Sequence, residues 1–317
     1  LLLELLKNGE RVRILIRKDN PVFDGLDCEK CFGDVTDPDS LEKAFEGADV
    51  VYHLAGVIDI NSDKEDIIHK INVDGTKNVF KACKKCGVRR LVYASSVDAF
   101  LPLPDGMIMR EKDHFDPEPL DGTYAKTKAE ATQYLLDNRF DGLEIVIVHP
   151  GACCGPYDFK NSSVGEMVRL FMKGSFPITL HFGAYDFVDV RDVAKGMYGA
   201  AVKGRDGECY ILSGEVVTID RLIRILSKKT GHNAPKIPVA LSAAKLGAVL
   251  AEKYYKHSKK TPLFTRYSIR KLCSNCNFSY EKAEKELDYH PMSAEQSFGD
   301  MVDWIIENDA ERVNKKK

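Results

Sequence analysis

Short apolar runs alternate with longer amphipathic stretches through the first half of the chain. Four runs have the composition of strands buried on both faces, and they cover residues 11–17, 49–55, 90–95 and 143–148. Apolar positions at helical spacing predict three helices, over residues 38–45, 64–86 and 123–138. Strands that alternate with helices in this way predict an α/β fold, a doubly wound parallel sheet with helices on both faces.

The second half of the chain has a less regular pattern. Helices joined by glycine- and proline-containing loops are predicted over residues 163–173, 190–202, 219–230, 239–255, 280–287 and 294–308. We therefore expect two parts, a sheet-containing domain over residues 1–150 and a smaller, mostly helical lobe over residues 151–317. Within the second part, we expect residues 183–202 to return to the first domain.

The beginning of the sequence differs from that of a complete doubly wound domain. Residues 1–9 have the pattern of the end of a helix, with a C-cap at Asn8-Gly9. A dinucleotide-binding domain of this type begins with a strand and a glycine-rich turn, whose amides bind the pyrophosphate. Loss of that central strand would leave two unpaired strand edges, so we expect the whole protein to carry a further N-terminal segment that contains them.

Composition and charge restrict the class of protein. The chain has 317 residues, 44% of them hydrophobic, which is enough for a large core. The formal net charge is -2, so we expect neither nucleic acid nor a membrane surface as a partner. No apolar run reaches the roughly 18 residues of a membrane span, and we expect a cytoplasmic protein.

The cysteines raise the question of a metal or redox site. Three Cys-x-x-Cys pairs are present, at Cys28/Cys31, Cys83/Cys86 and Cys273/Cys276. Such pairs bind zinc or carry redox chemistry when suitable ligands or a suitable fold accompany them. These three have no neighbouring histidine pair and no flanking glycine turn. We therefore expect no metal, and reduced cysteines that serve as small apolar residues.

Tyr124 and Lys128 form the most informative motif. They are four residues apart in a predicted helix and therefore lie on one face. A nearby ammonium favours the phenolate, which allows a tyrosine to exchange a proton near neutral pH. Ser96 follows the preceding strand and can hold a substrate oxygen against that phenol. These groups are the ones needed to move a proton while a cofactor moves a hydride.

Each of these residues also has a simpler explanation. Tyr124 can merely pack a helix, Lys128 can be a solvated charge, and Ser96 can end a strand. The occurrence of all three at converging strand and helix ends favours catalysis over these alternatives. We expect His53, a lone histidine at a strand end, to line a cofactor and to take no part in proton transfer.

Together the motifs resemble the extended short-chain dehydrogenase/reductase superfamily, also called the NAD-dependent epimerase/dehydratase family. The segments that carry the resemblance are residues 33–37, 53–56, 72–79, 93–96, 124–128, 149–151 and 187–194. His149-Pro150-Gly151 is most similar to the branch of dihydroflavonol reductases and 3β-hydroxysteroid dehydrogenases. The resemblance implies a Rossmann-like fold, with a dinucleotide-binding domain over 1–150 and a substrate-binding lobe over 151–317.

The resemblance also implies the roles of individual residues. It assigns Ser96, Tyr124 and Lys128 as the catalytic residues. The residues implied to bind the cofactor lie mostly at strand ends and are Asp34, Val35, Leu54, Ala55, Gly56, Asn72, Ala94, Tyr124, Lys128, Pro150 and Gly151. A homodimer through helices 64–86 and 123–138 is implied as well, although simple coverage of the sheet is an alternative role for these helices.

Arg17-Lys18, at the end of the predicted strand 11–17, determines the expected cofactor. At this point of the fold an acidic residue binds the ribose of NAD, whereas an arginine accommodates the phosphate of NADP. A guanidinium pairs with phosphate through two hydrogen bonds, and a second cation adds to the field. We therefore predict NADP, bound by Arg17 and Lys18, with NAD as the alternative.

The predicted function is that of an NAD(P)-dependent oxidoreductase. It would transfer a hydride between nicotinamide and a carbonyl or secondary alcohol of a small, apolar substrate, with Tyr124 as acid and base. One alternative is an epimerase or dehydratase of nucleotide-linked sugars that retains its NAD. Another is a non-catalytic cofactor-sensing protein, which would have no need of an intact catalytic set.

Overall fold

The computed structural model describes residues 1–58, 65–160, 162–174, 179–234, 238–248 and 266–309. In the first half of the chain, the predicted alternation of strands and helices is confirmed. The strands are β1 (Val12–Ile16), β2 (Cys28–Phe32), β3 (Val50–His53), β4 (Arg90–Ala94) and β5 (Glu144–Pro150). The helices are α1 (Leu2–Lys7), α2 (Pro38–Phe45), α3 (Glu65–His69), α4 (Gly75–Cys86) and α5 (Thr123–Asp137).

The second half contains short strands as well as the predicted helices. The strands are β6 (Ala152–Cys154), β7 (Thr179–Leu180), β8 (Ala184–Asp189), β9 (Cys209–Leu212), β10 (Glu215–Thr218) and β11 (Pro238–Val239). The helices are α6 (Ser163–Met172), α7 (Val190–Val202), α8 (Ile219–Thr230), α9 (Arg266–Leu272), α10 (Glu281–Leu287) and α11 (Ala294–Asn308). Residues 241–248 are also helical, and the rest of the helix predicted over 239–255 lies outside the described residues.

The central sheet is parallel and runs in the order β3-β4-β5-β9. Helices cover both of its faces, so Leu91, Val92 and Tyr93 of β4 are fully buried. The sequence does not predict β9, a four-residue strand that joins this sheet from the second half of the chain. β1 and β2 form a separate parallel pair, and within the described residues no strand pairing joins them to β3.

A π-helical turn, Lys70–Asp74, separates α3 from α4, where the sequence predicts one continuous helix. The turn contains Asn72, whose buried side-chain amide bonds the main chain of Val57 and the hydroxyl of Thr127. These three hydrogen bonds hold the wider turn in place. Such turns occur mostly at functional sites, and this one lies next to the carboxyl end of β3.

The lobe that follows β5 is mostly helical, as predicted, but it also contains two small sheets that the sequence does not predict. One has the order β10-β8-β6, and the other pairs β7 with β11. These strands have between two and six residues, too few to show a clear hydrophobic period. Helix α7, from the segment predicted to return to the first domain, packs against β4 and β5, whereas β8 belongs to the three-stranded sheet. The boundary at residue 150 stays a prediction.

Two further properties bear on function. None of the helices in the described ranges is long and apolar enough to cross a bilayer. Across the same ranges, no three His, Cys, Asp or Glu side chains are grouped as a metal ion would require. The cysteines are all free, and the pair Cys28/Cys31 lies within β2.

Candidate active site

Three neighbouring strands of the central sheet end side by side. The last residues of β3, β4 and β5 are His53, Ala94 and Pro150, and the strands are parallel and adjacent. In doubly wound sheets, ligands bind at this carboxyl edge. The segments that follow the three strands contain five of the predicted site residues, Leu54, Ala55, Gly56, Ser96 and Gly151.

Ser96 and Tyr124 meet at this edge, close enough for the Ser96 hydroxyl to lower the pKa of the phenol. Ser96 is only 8% exposed, and its Oγ also accepts a hydrogen bond from the main-chain N–H of Asp98, at 3.1 Å. Tyr124 lies in the first turn of α5 and is half-buried. Ser95 points elsewhere, because its Oγ lies 2.7 Å from Oγ1 of Thr132. The structure thus brings Ser96, rather than Ser95, to the phenol.

Lys128 lies one turn further along α5 and is 4% exposed. Its Nζ donates a hydrogen bond to the main-chain oxygen of Ala94, at 2.6 Å. Tyr93 covers it, with the hydroxyl at 3.4 Å and the ring centroid at 4.8 Å from Nζ. Burial removes the hydration of the charged form and lowers the pKa of Lys128 to about 7. Near neutral pH, this side chain is therefore a mixture of ammonium and amine.

The pKa of Tyr124 differs from the sequence-based expectation. Burial raises it above the usual range, the charge of Asp98 raises it further, and the hydrogen bond from Ser96 acts in the opposite direction. The expected lowering of this pKa by Lys128 is therefore wrong for this structure. Burial lowers the pKa of Lys128, so a smaller fraction of this side chain is charged at neutral pH, and its Nζ donates to the Ala94 carbonyl.

Residues 54–56 form an exposed segment directly after β3. Asn72 holds the next residue, Val57, by accepting from its N–H at 2.8 Å and donating to its carbonyl at 3.1 Å. A Cβ placed on Gly56 would lie 3.4 Å from Oδ1 of Asn72 and 3.6 Å from Nζ of Lys128. Gly56 thus leaves an open space without a side chain, bordered by the amide oxygen of Asn72 and the amine of Lys128. We call this space the shelf at Gly56.

Asp34 and Val35 occupy the turn after β2. Oδ1 of Asp34 accepts from the N–H and the hydroxyl of Thr36, at 2.9 and 2.8 Å, which holds the pKa of Asp34 below its usual value. Val35 is buried, and Asn78 of α4 donates to its carbonyl at 3.0 Å. Gly75 lets α4 approach, since a Cβ there would lie 2.8 Å from Val35. Helix α4 therefore fixes a turn that keeps an ionised carboxylate partly exposed.

Arg17 and Lys18 directly follow β1 and are both exposed. The Arg17 side chain is 76% exposed, and its Nε lies 3.9 Å from Oδ2 of Asp34. Asp19, the acidic residue nearest in sequence, is paired with Lys30 at 2.9 Å. The two cations are thus open to solvent beside the Asp34 turn, while the nearby carboxylate of Asp19 already has a partner.

Pro150 and Gly151 form the turn at the end of β5. The Gly151 N–H donates to the carbonyl of Leu212, at 3.1 Å. A Cβ on Gly151 would lie 2.8 Å from Oδ1 of Asp186, so the close approach requires glycine. Asp186 is 3% exposed and accepts from the N–H of Gly214, at 2.9 Å. Burial raises the pKa of Asp186 to about 7.

Asp98, Asp186 and the role of His149 were not identified from the sequence. The first two lie in no recognised motif, and only the three-dimensional contacts reveal them. His149 is fully buried, and its Nδ1 lies 3.0 Å from the main-chain oxygen of Ser96, so this nitrogen carries the proton. Burial lowers the pKa of both His149 and His53 to about 3. Both rings are therefore neutral at physiological pH.

Comparisons with known proteins agree with this geometry. The NAD dependent epimerase/dehydratase family matches residues 1–213. Sterol demethylase protein B of Methylococcus capsulatus is 33% identical over 309 residues, covering 96% of this chain and 93% of that protein. The decarboxylating sterol-4-alpha-carboxylate 3-dehydrogenase of Schizosaccharomyces pombe is 28% identical and covers 90% of each chain. The crystal structure of gox2253 is similar with a TM-score of 0.83 at 30% identity, covering 96% of this chain and 93% of that one.

These similarities extend over both halves of the chain. The family match covers more than half of the sequence, and the Methylococcus relative spans nearly all of it. The fold is the mostly parallel α/β arrangement of this family, whose members are NAD(P)-dependent enzymes. The chain belongs to the NAD-dependent epimerase/dehydratase family and is an NAD(P)-dependent oxidoreductase of the extended short-chain dehydrogenase type.

Proposed function

We propose that this enzyme transfers a hydride between NADP and a carbonyl or secondary alcohol on an apolar, ring-containing substrate. The observation that carries the proposal is the proximity of the Ser96 hydroxyl to the Tyr124 phenol at the carboxyl edge of the sheet, with Lys128 one turn away. Two hydroxyl groups in contact can bind one substrate oxygen together and fix its position.

Tyr124 is the proposed acid and base. In reduction, its hydroxyl gives a proton to the carbonyl oxygen, and in oxidation, it takes the proton from the alcohol. Ser96 donates its own hydroxyl hydrogen to the same oxygen. The main-chain N–H of Asp98 holds the Ser96 hydroxyl in place. These two side chains orient the reacting carbon, and Tyr124 completes the proton transfer.

The residues along the edge fit a nicotinamide dinucleotide. The shelf at Gly56 leaves room beside Asn72 and Lys128, so Lys128 would bind the ribose hydroxyls. The partly exposed carboxylate of Asp34 would bind the adenosine end, as the family resemblance implies. Residues 150–151 would border the nicotinamide. When bound, the nicotinamide supplies or accepts the hydride.

The choice of NADP rests on Arg17 and Lys18. Both are exposed at the end of β1, where the ribose of the adenosine would lie. Asp19 is paired with Lys30 and is therefore not free to bind ribose hydroxyls. The two cations would bind the additional phosphate of NADP.

An apolar substrate is supported by exposed apolar side chains that follow Ser96 in the chain and by the relatives. The loop after Ser96 exposes Leu101, Leu103, Met107 and Ile108, each by at least 40%. Two relatives that match nearly the whole chain are named for sterols. The nucleotide-sugar alternative receives less support, because no comparable observation favours a sugar diphosphate.

A substrate panel tests the proposed function. The panel contains 3-oxo and 3-hydroxy steroids, smaller cyclic ketones and nucleotide-linked sugars, each offered with NADPH, NADH and their oxidised forms. We expect one free reduced nicotinamide to be consumed or formed for each ring ketone or alcohol converted. Conversion of a nucleotide-linked sugar without any change in free nicotinamide would contradict the proposal.

We also propose a homodimer through α3, α4 and α5. Ile67 of α3 is 55% exposed, so a charge introduced there would disrupt this interface without disturbing the core. Sedimentation analysis of the protein and of Ile67→Asp tests this interface. A dimer that the substitution converts to a monomer is expected, whereas a monomeric starting protein would contradict it.

A further inference from the structure

Helix α9, from the C-terminal part of the chain, contacts both catalytic segments. The ring of Tyr267 lies against Gly122, two residues before Tyr124, since a Cβ on that glycine would be 2.6 Å from the ring. Further along α9, Nζ of Lys271 lies 2.7 Å from Oδ1 of Asp98. Asp98 is two residues from Ser96 and donates its N–H to the Ser96 hydroxyl. The helix thus places a cation beside the segment that carries the catalytic serine.

The charge of Asp98 faces a group of phenols. It raises the pKa of Tyr124, Tyr185 and Tyr267, in each case as the largest cause after burial. The charge of Asp98 thus acts on all three phenols. Nζ of Lys271 is 5.9 Å from the centroid of the Tyr267 ring and adjoins the same space.

The ammonium of Lys271 can bind a further group. It has three N–H donors, and in the described residues its one hydrogen bond goes to Asp98. Its side chain is 19% exposed and that of Asp98 is 35% exposed, so the pair is partly open to solvent. A substrate oxygen held by Ser96 and Tyr124 would bring the neighbouring substituent of the substrate toward this cation.

We infer that Lys271 binds a carboxylate of the substrate, attached near the carbon that exchanges the hydride. The inference rests on the proposed function, because that function places the reacting oxygen at Ser96 and Tyr124. A carboxylate suits the site because it accepts charge-assisted hydrogen bonds from an ammonium. The ring of Tyr267, whose centroid lies 5.9 Å from Nζ of Lys271, would supply apolar surface for the rest of the molecule.

Asp98 opposes this binding, because two carboxylates would then share one ammonium. Removal of Lys271 and neutralisation of Asp98 should therefore have opposite effects on an acidic substrate. A purely structural ion pair, which only holds α9 against the Ser96 segment, would behave differently. Loss of either partner would then weaken the binding of every substrate to a similar extent.

The experiment compares a 3-hydroxysteroid carrying a free carboxylate on the neighbouring carbon with its methyl ester. Dissociation constants are measured by calorimetry in the presence of saturating NADPH, which cannot accept a hydride from the alcohol, and KM is measured with NADP wherever turnover occurs. For Lys271→Gln, we expect the acid to bind about 10- to 100-fold more weakly and the ester to change by less than about threefold. For Asp98→Asn, we expect the acid to bind several-fold more tightly.

Arg270→Gln is the matched control, because Arg270 is the preceding residue of α9 and pairs with Asp121 at 2.7 Å, on the exposed surface. It should leave the preference for the acid unchanged. Equal weakening of acid and ester in Lys271→Gln, or no preference for the acid in the unsubstituted protein, would overturn the inference. Preferential binding of the acid without any oxidation would support Lys271 as a binding residue and contradict the proposed function.

Discussion

The Nζ atom of Lys128 lies 2.6 Å from the main-chain oxygen of Ala94, in a position where the lysine is 4% exposed. No carboxylate is among the groups that shift its pKa, and burial alone lowers that pKa to about 7. A cation held in this way destabilises the folded chain. Its position beside the open shelf at Gly56 offers a functional reason for keeping it.

Replacement of Lys128 by methionine should stabilise the protein, and more so at low pH than at high pH. The pKa of Lys128 falls from 10.5 in the unfolded chain to about 7 in the fold, so burial of the charged form is costly below pH 7. The cost diminishes as the pH rises from about 7 toward 10. A change of one pKa unit corresponds to about 1.36 kcal/mol. We therefore expect the gain in the free energy of unfolding from Lys128→Met to be about 2–4 kcal/mol larger at pH 6 than at pH 10.

Urea unfolding at both pH values measures this difference. Lys126→Met, on the exposed side of the same helix, is the control and should shift stability by a similar small amount at either pH. A gain from Lys128→Met that does not depend on pH would contradict a pKa near 7 for this lysine.

Substitutions at Tyr124, Ser96 and Ser95 should separate catalysis from packing. Tyr124→Phe removes the proton donor, and we expect kcat to fall by about 10²- to 10⁴-fold while the cofactor still binds. Ser96→Ala should lower kcat as well. Ser95→Ala removes only the hydrogen bond to Thr132, so it should cost about 1–2 kcal/mol of stability and leave turnover nearly intact. Steady-state kinetics, cofactor titration and thermal unfolding measure the three effects.

The comparison of neighbouring serines makes this prediction specific. If Ser95→Ala lowered kcat as much as Ser96→Ala, the geometry around Tyr124 would not reflect the reacting state. Retained turnover in Tyr124→Phe would contradict its role as acid and base.

Much of the fold was predictable because its main elements are long and regularly patterned. The bounds predicted for α7 and α8 agree with the structure, since each helix has a clear start or stop signal, such as the Thr218 cap or Gly231. Strand β2 was not predicted, because two adjacent charged residues, Glu29 and Lys30, interrupt its apolar positions. The π turn at Asn72 was not predicted either, since it results from tertiary hydrogen bonds to Val57 and Thr127.

The candidate site was predictable only where its chemistry lies within a short segment. Tyr124 and Lys128 share one helical turn, so their spacing is visible in the sequence. Lys271 and Asp98 are 173 residues apart, and only the fold brings them together. The pKa of Tyr124 was not predictable, because burial acts on both residues. It raises the pKa of Tyr124, and it lowers the pKa of Lys128, whose positive charge was expected to lower the pKa of the tyrosine.

Substitution of Arg17 tests the choice of cofactor. Because Arg17 is 76% exposed and only loosely paired with Asp34, Arg17→Ala should leave the fold intact. We expect KM for NADPH to rise about 10- to 100-fold, since a charge-assisted contact with the phosphate is lost. KM for NADH should change by less than about threefold. Arg11→Ala, just before the start of the same strand, is the control. Equal effects of Arg17→Ala on the KM values for NADPH and NADH would favour NAD as the cofactor.

Asp186 should make the stability of the protein depend on pH in the opposite sense to Lys128. Burial raises its pKa from 3.8 to about 7, so the fold favours the protonated carboxyl. The stabilisation is fully present below about pH 4 and is lost as the pH rises through 7. Asp186→Asn keeps an oxygen for the N–H of Gly214 and cannot ionise. We therefore expect the stability of this variant, relative to the unsubstituted protein, to increase by about 2–4 kcal/mol between pH 4 and pH 8.

Urea unfolding across this range measures the effect, with Asp27→Asn, an exposed position, as the control. Parallel stability curves for Asp186→Asn and the unsubstituted protein would contradict the raised pKa. Because Asp186 lies against Gly151, ionisation of this carboxyl would place a buried charge directly behind the turn that borders the proposed nicotinamide site. A pH-dependent KM for the cofactor that disappears in Asp186→Asn would show that the carboxyl also acts on binding.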